Sequence, residues 1–195
     1  MRLLCYESRI NLKNLRKGEV EEDAWDRLVV AAQNLSRSAI FIDDNTDITV
    51  LGLRSRARRL KQEYDIKLLV IDYLQLMQGQ KGLESREREI AHVSRSLKAL
   101  AKELEIPVIA LSQLNRAAKD RRPLMSDLRE SGALEQDADV VAILHREQTP
   151  QHAGSPQDQG RTELIVAKHR NGETGTVQLQ FDPRYTRFSS LSKHE

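Results

Sequence analysis

The chain has 195 residues, which is enough to bury the hydrophobic core of one ordinary domain. Hydrophobic residues make up 39% and charged residues 31%, values typical of globular proteins, which argues against a disordered or a fibrous chain. Lysine and arginine number 31 against 29 aspartates and glutamates, so the total charge gives no argument for nucleic-acid binding, and any basic surface must be local.

The cysteine content and the apolar runs indicate a cellular compartment. Cys5 is the single cysteine, so it has no internal disulfide partner, and no Cys/His pattern suggests a zinc site. The apolar run near the N-terminus is too short for a signal peptide, and no stretch approaches the length of a membrane span. We therefore expect a cytoplasmic protein that has no contact with a membrane.

Helices surround one short strand in the first third of the chain. We expect residues 2–10 to be the end of a helix, 21–35 a core-facing helix, 39–42 a strand and 49–64 another helix. The core face of residues 21–35 is predicted from spacings of three and four, at Trp25, Leu28, Ala32 and Leu35. The arginines of residues 49–64 could contact phosphates, although a solvated helix face is the simpler interpretation.

The central strand is predicted at residues 68–71, an apolar run bounded by charge, as in a parallel sheet that is covered by helices. The clearest helix follows it and ends at Pro107, because apolar residues recur at steps of three and four. A second buried strand is predicted at residues 108–111. The apolar positions of this helix are Ile90, Val93, Leu97, Leu100 and Leu104.

The C-terminal part is predicted to contain more strands. Residues 126–139 have the pattern of two short helical pieces, and residues 140–144 that of a strand. Residues 162–166 and 177–181 are predicted to form a hairpin around turns rich in asparagine and glycine. Alternation of strands and helices followed by a hairpin predicts an α/β fold with a mainly parallel sheet flanked by helices.

Polar side chains follow both predicted parallel strands. Asp72 comes directly after the first strand, and Gln113 follows the second. The carboxyl ends of parallel strands face the ligand crevice in open α/β sheets, where an aspartate can hold the Mg²⁺ that bridges nucleotide phosphates. A glutamine there can orient water or contact a phosphate. From these residues alone, a surface aspartate at the end of an ordinary strand is an equally good interpretation.

Lys168 and Arg170 lie two residues apart at the end of a predicted strand. If the strand runs through them, their side chains share one face and His169 leaves from the other. Two cations on one face suit a developing phosphate charge. A solvated strand end is the alternative.

Residues 129–132 combine a cation with a glycine after the basic loop 115–123. Arg129 and the backbone near Gly132 could approach a phosphate closely, a contact that would not depend on base sequence. A simple break between two helices is the other interpretation.

Several segments together resemble one known family, the bacterial replicative DNA helicases of the DnaB type, in their motor domain. The resemblance runs in order from about Met1 to Phe188 and rests on long motifs. The segments that carry it are Leu69–Met77, Ser94–Leu104, Pro107–Leu114, Ser126–Asp139 and Ala167–Gly172.

This resemblance implies a RecA-like fold and a homohexameric ring around single-stranded DNA, with ATP and Mg²⁺ at the subunit interfaces and with a helicase loader and primase as partners. Asp72 would act through Mg²⁺, and Gln113 would couple the γ-phosphate to the DNA side. Lys168 and Arg170 would reach into the site of the neighbouring subunit. Arg2 would pack on the adenine. Four residues would lie in the DNA channel, namely Arg129, Glu130, Gly132 and Arg86.

The 195 residues contain no Gly-Lys dipeptide and therefore no phosphate-binding loop of the Gly-x-x-x-x-Gly-Lys-[Ser/Thr] type. The catalytic glutamate of the family would lie before Arg2, and its collar domain is not matched either. We therefore expect residues 1–195 to be the C-terminal part of a RecA-like helicase ATPase domain.

The sequence is consistent with two hypotheses. The chain is part of an ATP-driven helicase that is completed by other residues, or it is a catalytically inactive module that binds DNA and other subunits. A RecA-like recombinase is disfavoured because residues 129–139 resemble the helicase.

Overall fold

The computed structural model describes residues 1–45, 48–77, 85–115, 121–128, 132–146 and 161–191. The chain folds into two compact units. The first unit comprises Met1–Ile42, Ile143–Ile165 and Gly175–Glu195, and the second comprises Asp43–Ala142 and Val166–Thr174.

The described residues contain four consecutive α-helices, then β-strands and α-helices in alternation, and finally consecutive strands. The helices are α1 (Arg2–Ser8), α2 (Leu12–Lys17), α3 (Glu22–Arg37), α4 (Val50–Tyr64), α5 (Arg86–Leu104) and α6 (Gly132–Asp137). The strands are β1 (Leu69–Ile71), β2 (Val108–Ala110), β3 (Val140–His145), β4 (Arg161–His169), β5 (Gly175–Asp182) and β6 (Arg187–Ser190).

Helix α5 has clear start and stop signals in its sequence. The Ser85 side chain accepts a hydrogen bond from the backbone N–H of Arg88, which satisfies one of the unpaired donors at the start of the helix. Glu87 and Glu89 lie in the first turn, where the helix dipole favours negative charge. The helix ends at Leu104, and the left-handed backbone of the next residue, Glu105 (φ 53°), turns the chain towards the second strand.

The core of the second unit lies between α4, α5 and the β1–β2 pair. Every apolar position predicted for α5 is buried, so this prediction is confirmed. Four of these positions belong to one buried cluster that also contains residues of α4, β1 and the segments after β1 and α5. Its members are Val93, Leu97, Leu100, Leu104, Leu53, Ala57, Ile71, Leu74, Met77 and Ile106. Burying a leucine or isoleucine side chain contributes about 1.5–3 kcal/mol, so this cluster dominates the stability of the second unit.

The strands form two separate sheets among the described residues. β1 and β2 are parallel, with Leu69 opposite Val108 and Ile71 opposite Ala110. The other sheet has the order β3-β4-β5-β6 and is antiparallel, with Phe181 opposite Phe188 in its last pair. The α/β class and the C-terminal hairpin are thus confirmed, whereas the sequence did not predict β6.

Two local predictions were wrong. Residues 39–42 do not form a strand; this segment is exposed, with Ile42 79% accessible, and no strand among the described residues pairs with it. In α3 the buried positions are Ala24 and Ala31, while Trp25 is 51% exposed. Helix α1 packs against α3, and small alanine side chains allow the close approach of two helices, which the larger tryptophan would prevent.

None of the helices within the described ranges is long and apolar enough to cross a membrane.

The buried face of α5 leads to a stability prediction. Replacing Leu100, which is 3% exposed, by alanine should lower the free energy of unfolding by about 2–5 kcal/mol, because a cavity replaces a packed side chain. Leu51→Ala is the matched control, since Leu51 is 76% exposed and its loss should change this free energy by less than about 0.5 kcal/mol. Denaturant titration followed by circular dichroism measures both, and equal effects would contradict the packing described above.

Candidate functional site

The predicted strand-end residues Asp72 and Gln113 follow neighbouring parallel strands. Backbone pairing continues past the strands, because the Leu111 N–H donates to the Ile71 carbonyl at 2.9 Å and the Leu74 N–H to the Leu111 carbonyl at 2.9 Å. Asp72 and Gln113 are both exposed at this edge. The two side chains are therefore on the same end of the β1–β2 pair, as the sequence predicts.

Two further contacts order the segment that follows β1. The Gln75 side-chain amide donates to the Ser112 hydroxyl at 3.0 Å, which joins the segments after β1 and β2. Arg86, at the start of α5, donates to the Gln75 carbonyl at 2.7 Å and pairs with Glu89 at 2.5 Å. Arg86 is thus held against the strand-end segment, and its role in a DNA channel stays a prediction.

The cations Lys168 and Arg170 meet the C-terminal end of α6. Lys168 lies inside β4, and its Nζ donates to the Glu135 carbonyl at 2.6 Å and to the Gln136 carbonyl at 3.3 Å. Arg170 Nη2 donates to the same Gln136 carbonyl at 3.3 Å. The two side chains therefore share a face, as the alternation along the strand predicts.

His169 lies between these cations in sequence but contacts the turn instead. Its Nδ1 is 3.3 Å from the Glu173 carbonyl. A Cβ at Gly172 would lie 2.4 Å from the imidazole, so a glycine is needed there for the ring to keep this position. His169 thus points away from Lys168 and Arg170, in agreement with the predicted alternation.

Asp139 connects the cation pair to α5, a role that sequence reasoning missed. Its Oδ1 lies 3.1 Å from Arg170 Nη1, and its Oδ2 accepts a hydrogen bond from Lys98 of α5. The hydrogen bond from Lys98 holds the pKa of Asp139 below its ordinary value, and the positive charges of Lys98, Arg170 and Lys168 lower it further. The carboxylate therefore stays ionised between three cations.

The base of the predicted DNA loop is fixed by a buried carboxylate, which sequence reasoning also missed. Asp127, 6% exposed, accepts hydrogen bonds from Arg121 Nη2 at 2.5 Å and Nη1 at 2.7 Å, and from the Leu124 N–H at 2.7 Å. The hydrogen bonds from Arg121 and then from Leu124 lower the pKa of Asp127. A bridge between Leu114 and Leu128 joins this segment to the one that follows Gln113.

The other predicted site residues are placed as follows. Arg129 and Glu130 lie outside the described residues, and Gly132 is the first residue of α6, where a Cβ would have no atom within 4 Å. Arg2 is exposed at the start of α1 and belongs to the first unit, whereas Asp72, Gln113, Lys168 and Arg170 belong to the second.

Three of the four arginines of α4 have partners within the second unit. Arg54 Nη2 pairs with Glu103 at 2.7 Å, Arg58 pairs with the same carboxylate, and Arg56 pairs with Asp43. The hydrogen bond from Arg58 is the largest cause of the lowered pKa of Glu103. The two pairs with Glu103 join α4 to α5, and the three arginine side chains remain 42–53% exposed, in agreement with a largely solvated face.

The donor set at the strand ends suits a magnesium ion that also binds phosphate. The described residues contain no group of three or more His, Cys, Asp or Glu side chains that could hold a metal ion. Mg²⁺ needs no such cage, because it commonly binds one or two carboxylates together with water and substrate phosphates. The exposed carboxylate of Asp72 at the end of β1 fits that mode.

Comparison with known proteins shows the family of this chain. The sequence profile described as the DnaB-like helicase C terminal domain matches residues 1–190. The chain belongs to this family. The replicative DNA helicase DnaB of Geobacillus stearothermophilus is 49% identical over 197 residues, which cover 99% of this chain and 43% of that protein. The replicative DNA helicase DnaC of Bacillus subtilis strain 168 is 46% identical, with the same coverage.

This member of the DnaB-like family therefore spans less than half the length of these relatives. Its fold agrees with solved structures. One of them, an ATPase domain, superimposes with a TM-score of 0.90 at 38% identity, covering 98% of this chain and 69% of that one. A DnaB-like replicative helicase, solved in a study of its interactions with primase, gives 0.89 at 37% identity, covering 98% and 47%. The predicted RecA-like fold is confirmed.

The Asp139 cluster leads to a prediction about pH. Lys98→Met should raise the pKa of Asp139 towards its ordinary value of 3.8, because the largest cause of the lowering is removed. Because the pKa of Asp139 is lower in the folded state, these ion pairs stabilise the fold at a pH above the ordinary pKa. The stabilisation is lost as the pH falls through the pKa of the folded state. Titration of the Asp139 carboxyl carbon by NMR measures the change.

Asp65 is the control in the same titration. Its pKa is lowered to about 2 by Lys61 and Lys67, which the substitution at Lys98 does not touch. An unchanged pKa at Asp139, or a change at both carboxylates, would contradict the contact between Lys98 and Asp139.

Proposed function

We propose that this chain is the C-terminal part of a motor domain that uses ATP to unwind duplex DNA at the replication fork as a hexameric ring. The observation that carries this proposal is the match to a replicative DNA helicase DnaB at 49% identity along 99% of the chain. The polar ends of β1 and β2 and the cation pair at the end of β4 supply chemistry that such a motor needs. A cytoplasmic location follows from this function.

In this proposal the two strand ends serve the nucleotide of their own subunit. Asp72 would hold Mg²⁺, which supplies charge neutralisation at the β- and γ-phosphates. Gln113 would contact the γ-phosphate through its amide, and Arg2 would pack on the adenine. The bridge between Leu114 and Leu128 gives Gln113 a short backbone connection to the segment that precedes Arg129.

Lys168 and Arg170 would serve the nucleotide of a neighbouring subunit. Arg170 is 51% exposed and follows directly after β4, as suits a residue that contacts another subunit. A cation supplied in trans can stabilise the charge that develops on the transferred phosphate and can be worth about 10³–10⁵ in rate.

Single-stranded DNA is the proposed ligand of the ring, and Arg129, Glu130, Gly132 and Arg86 are its proposed contacts. Contacts to the DNA backbone depend on the charge of the phosphates and not on the base sequence. Primase is a proposed partner because a structural neighbour is a DnaB-like replicative helicase studied for its interactions with primase. A helicase loader is proposed from the family resemblance.

The role of Arg170 can be tested in a subunit that contains this segment together with a phosphate-binding loop. Arg170→Ala should lower kcat for ATP by about 10³–10⁵ and leave KM within a few-fold, because the cation acts mainly in the transition state. Steady-state phosphate release with single-stranded DNA measures both constants. Arg27→Ala, which removes an arginine from an exposed pair with Asp23, is the matched control and should retain full activity.

Mixed rings test whether Arg170 acts in trans. Rings that mix Arg170→Ala subunits with subunits mutated in their phosphate-binding loop should regain part of the activity. Only such mixed rings contain an interface at which one subunit has an intact loop and its neighbour has an intact Arg170. Turnover that depends solely on a subunit's own Arg170 would refute the trans role.

The role of Arg129 leads to a separate prediction for DNA binding. Arg129→Ala should weaken the binding of all single-stranded sequences about equally and reduce the slope of log K against log salt by roughly 0.7. Fluorescence anisotropy with two oligonucleotides of different sequence over a range of salt concentrations measures the slope, with Arg27→Ala as the control. An unchanged slope or a new base preference would remove Arg129 from the channel.

A further inference from the structure

The cation pair of β4 is ordered by contacts inside its own unit. Arg170 is held from both its backbone and its side chain by one residue, Asp139. The Arg170 N–H donates to the Asp139 carbonyl at 2.8 Å, and Arg170 Nη1 lies 3.1 Å from the Asp139 carboxylate. The backbone hydrogen bond and the side-chain ion pair to the same residue together restrict the side-chain torsions of Arg170 more than either contact alone.

Asp139 is itself fixed by α5. Lys98, whose side chain is 25% exposed, donates to the other carboxylate oxygen of Asp139. Lys98 lies on a helix whose buried face is part of the main core of the second unit, so the position of Asp139 is tied to that core. The chain of contacts runs from α5 through Lys98 and Asp139 to Arg170.

The carbonyl end of α6 holds the second cation in the same place. Lys168 donates to the Glu135 and Gln136 carbonyls, and Gln136 also accepts from Arg170. The last carbonyls of a helix lack partners within the helix and carry negative partial charge, so they attract cations. Lys168 and Arg170 are therefore held side by side before any ligand binds.

These contacts orient the cations without using all their donors. An arginine has five N–H donors and a lysine has three, and the side-chain contacts of the described residues engage two on each. The Arg170–Asp139 pair is about half exposed, with side-chain accessibilities of 51% and 52%, so a phosphate can reach the guanidinium. An exposed ion pair of this kind contributes little to stability, which favours a role in orientation over one in folding.

We infer that Asp139, fixed by Lys98, is a positioning residue that orients Arg170 for contact with the nucleotide of the neighbouring subunit. This inference rests on the proposed role of Arg170 and extends it, since it names the group that sets the direction of the guanidinium. Correct orientation matters for the rate because a misplacement of about 1 Å at a reacting centre can cost roughly 100-fold.

The test uses hexameric rings of a subunit that contains this segment and a phosphate-binding loop. Asp139→Ala should lower kcat for ATP about 10- to 100-fold and leave KM within about twofold, since misorientation of Arg170 affects the transition state more than nucleotide binding. The matched control is Asp23→Ala, which breaks another exposed Asp–Arg pair and should leave kcat unchanged.

A double substitution separates positioning from a general structural effect. In the Arg170→Ala background, adding Asp139→Ala should cause no further loss of kcat, because the residue to be oriented is already gone. Independent structural damage would instead multiply the two losses and lower the thermal midpoint of unfolding. In mixed rings the Asp139→Ala subunits should behave like Arg170→Ala subunits and regain activity with phosphate-loop mutants.

Milder variants keep the test decisive if the rings of Asp139→Ala do not assemble. Asp139→Asn keeps the oxygen that faces Arg170 but removes the charge, and Lys98→Met removes the fixing contact. Each should lower kcat in the same direction by a smaller factor.

The outcomes distinguish this inference from the function on which it rests. Full activity of Asp139→Ala, or of both milder variants, together with an inactive Arg170→Ala ring, would overturn the positioning role alone. Full activity of Arg170→Ala would overturn the proposed cation role and the inference with it. Multiplicative losses in the double variant would also refute positioning.

Discussion

The packing of α5 against β1 and β2 is the interaction on which the rest of the second unit depends. Its buried face packs against the two parallel strands and so fixes their position. The segments that follow these strands carry Asp72 and Gln113. Its exposed side supplies Lys98 and Glu103, which bind Asp139 and the arginines of α4. One helix thus sets the core, the strand ends and the cation cluster, so a shift of α5 would displace all three together.

Sequence patterns predicted those features that local periodicity determines. Ile90, Val93, Leu97, Leu100 and Leu104 were identified from helical spacing, and all of them are buried. The adjacency of Asp72 and Gln113 followed from the rule that parallel strands end at one edge, and the common face of Lys168 and Arg170 from the alternation of a strand. The catalytic roles proposed for these residues rest on family resemblance, because spacing alone fits an ordinary surface equally well.

Features that depend on partners distant in sequence could not be predicted. The buried face of α3 is set by α1, so the small Ala24 and not Trp25 lies inside. Residues 39–42 have a strand-like composition, but a strand also needs a neighbour. Asp139 looks like a surface aspartate until Lys98 and Arg170, which are 41 and 31 residues away, are seen to surround it. The pair of Arg121 with Asp127 is closer in sequence, yet its burial depends on the tertiary fold.

The division of the chain into units has a consequence for the order of folding. The second unit joins Asp43–Ala142 to the short segment Val166–Thr174, which includes Lys168 and Arg170. A ribosome releases the chain from its N-terminus at about 5–20 residues per second, so the long part emerges before the short one. Bringing the two parts of the second unit together also costs conformational entropy. The nascent protein therefore contains Asp72 and Gln113 before Lys168 and Arg170, and a chain interrupted before residue 166 lacks the cation pair.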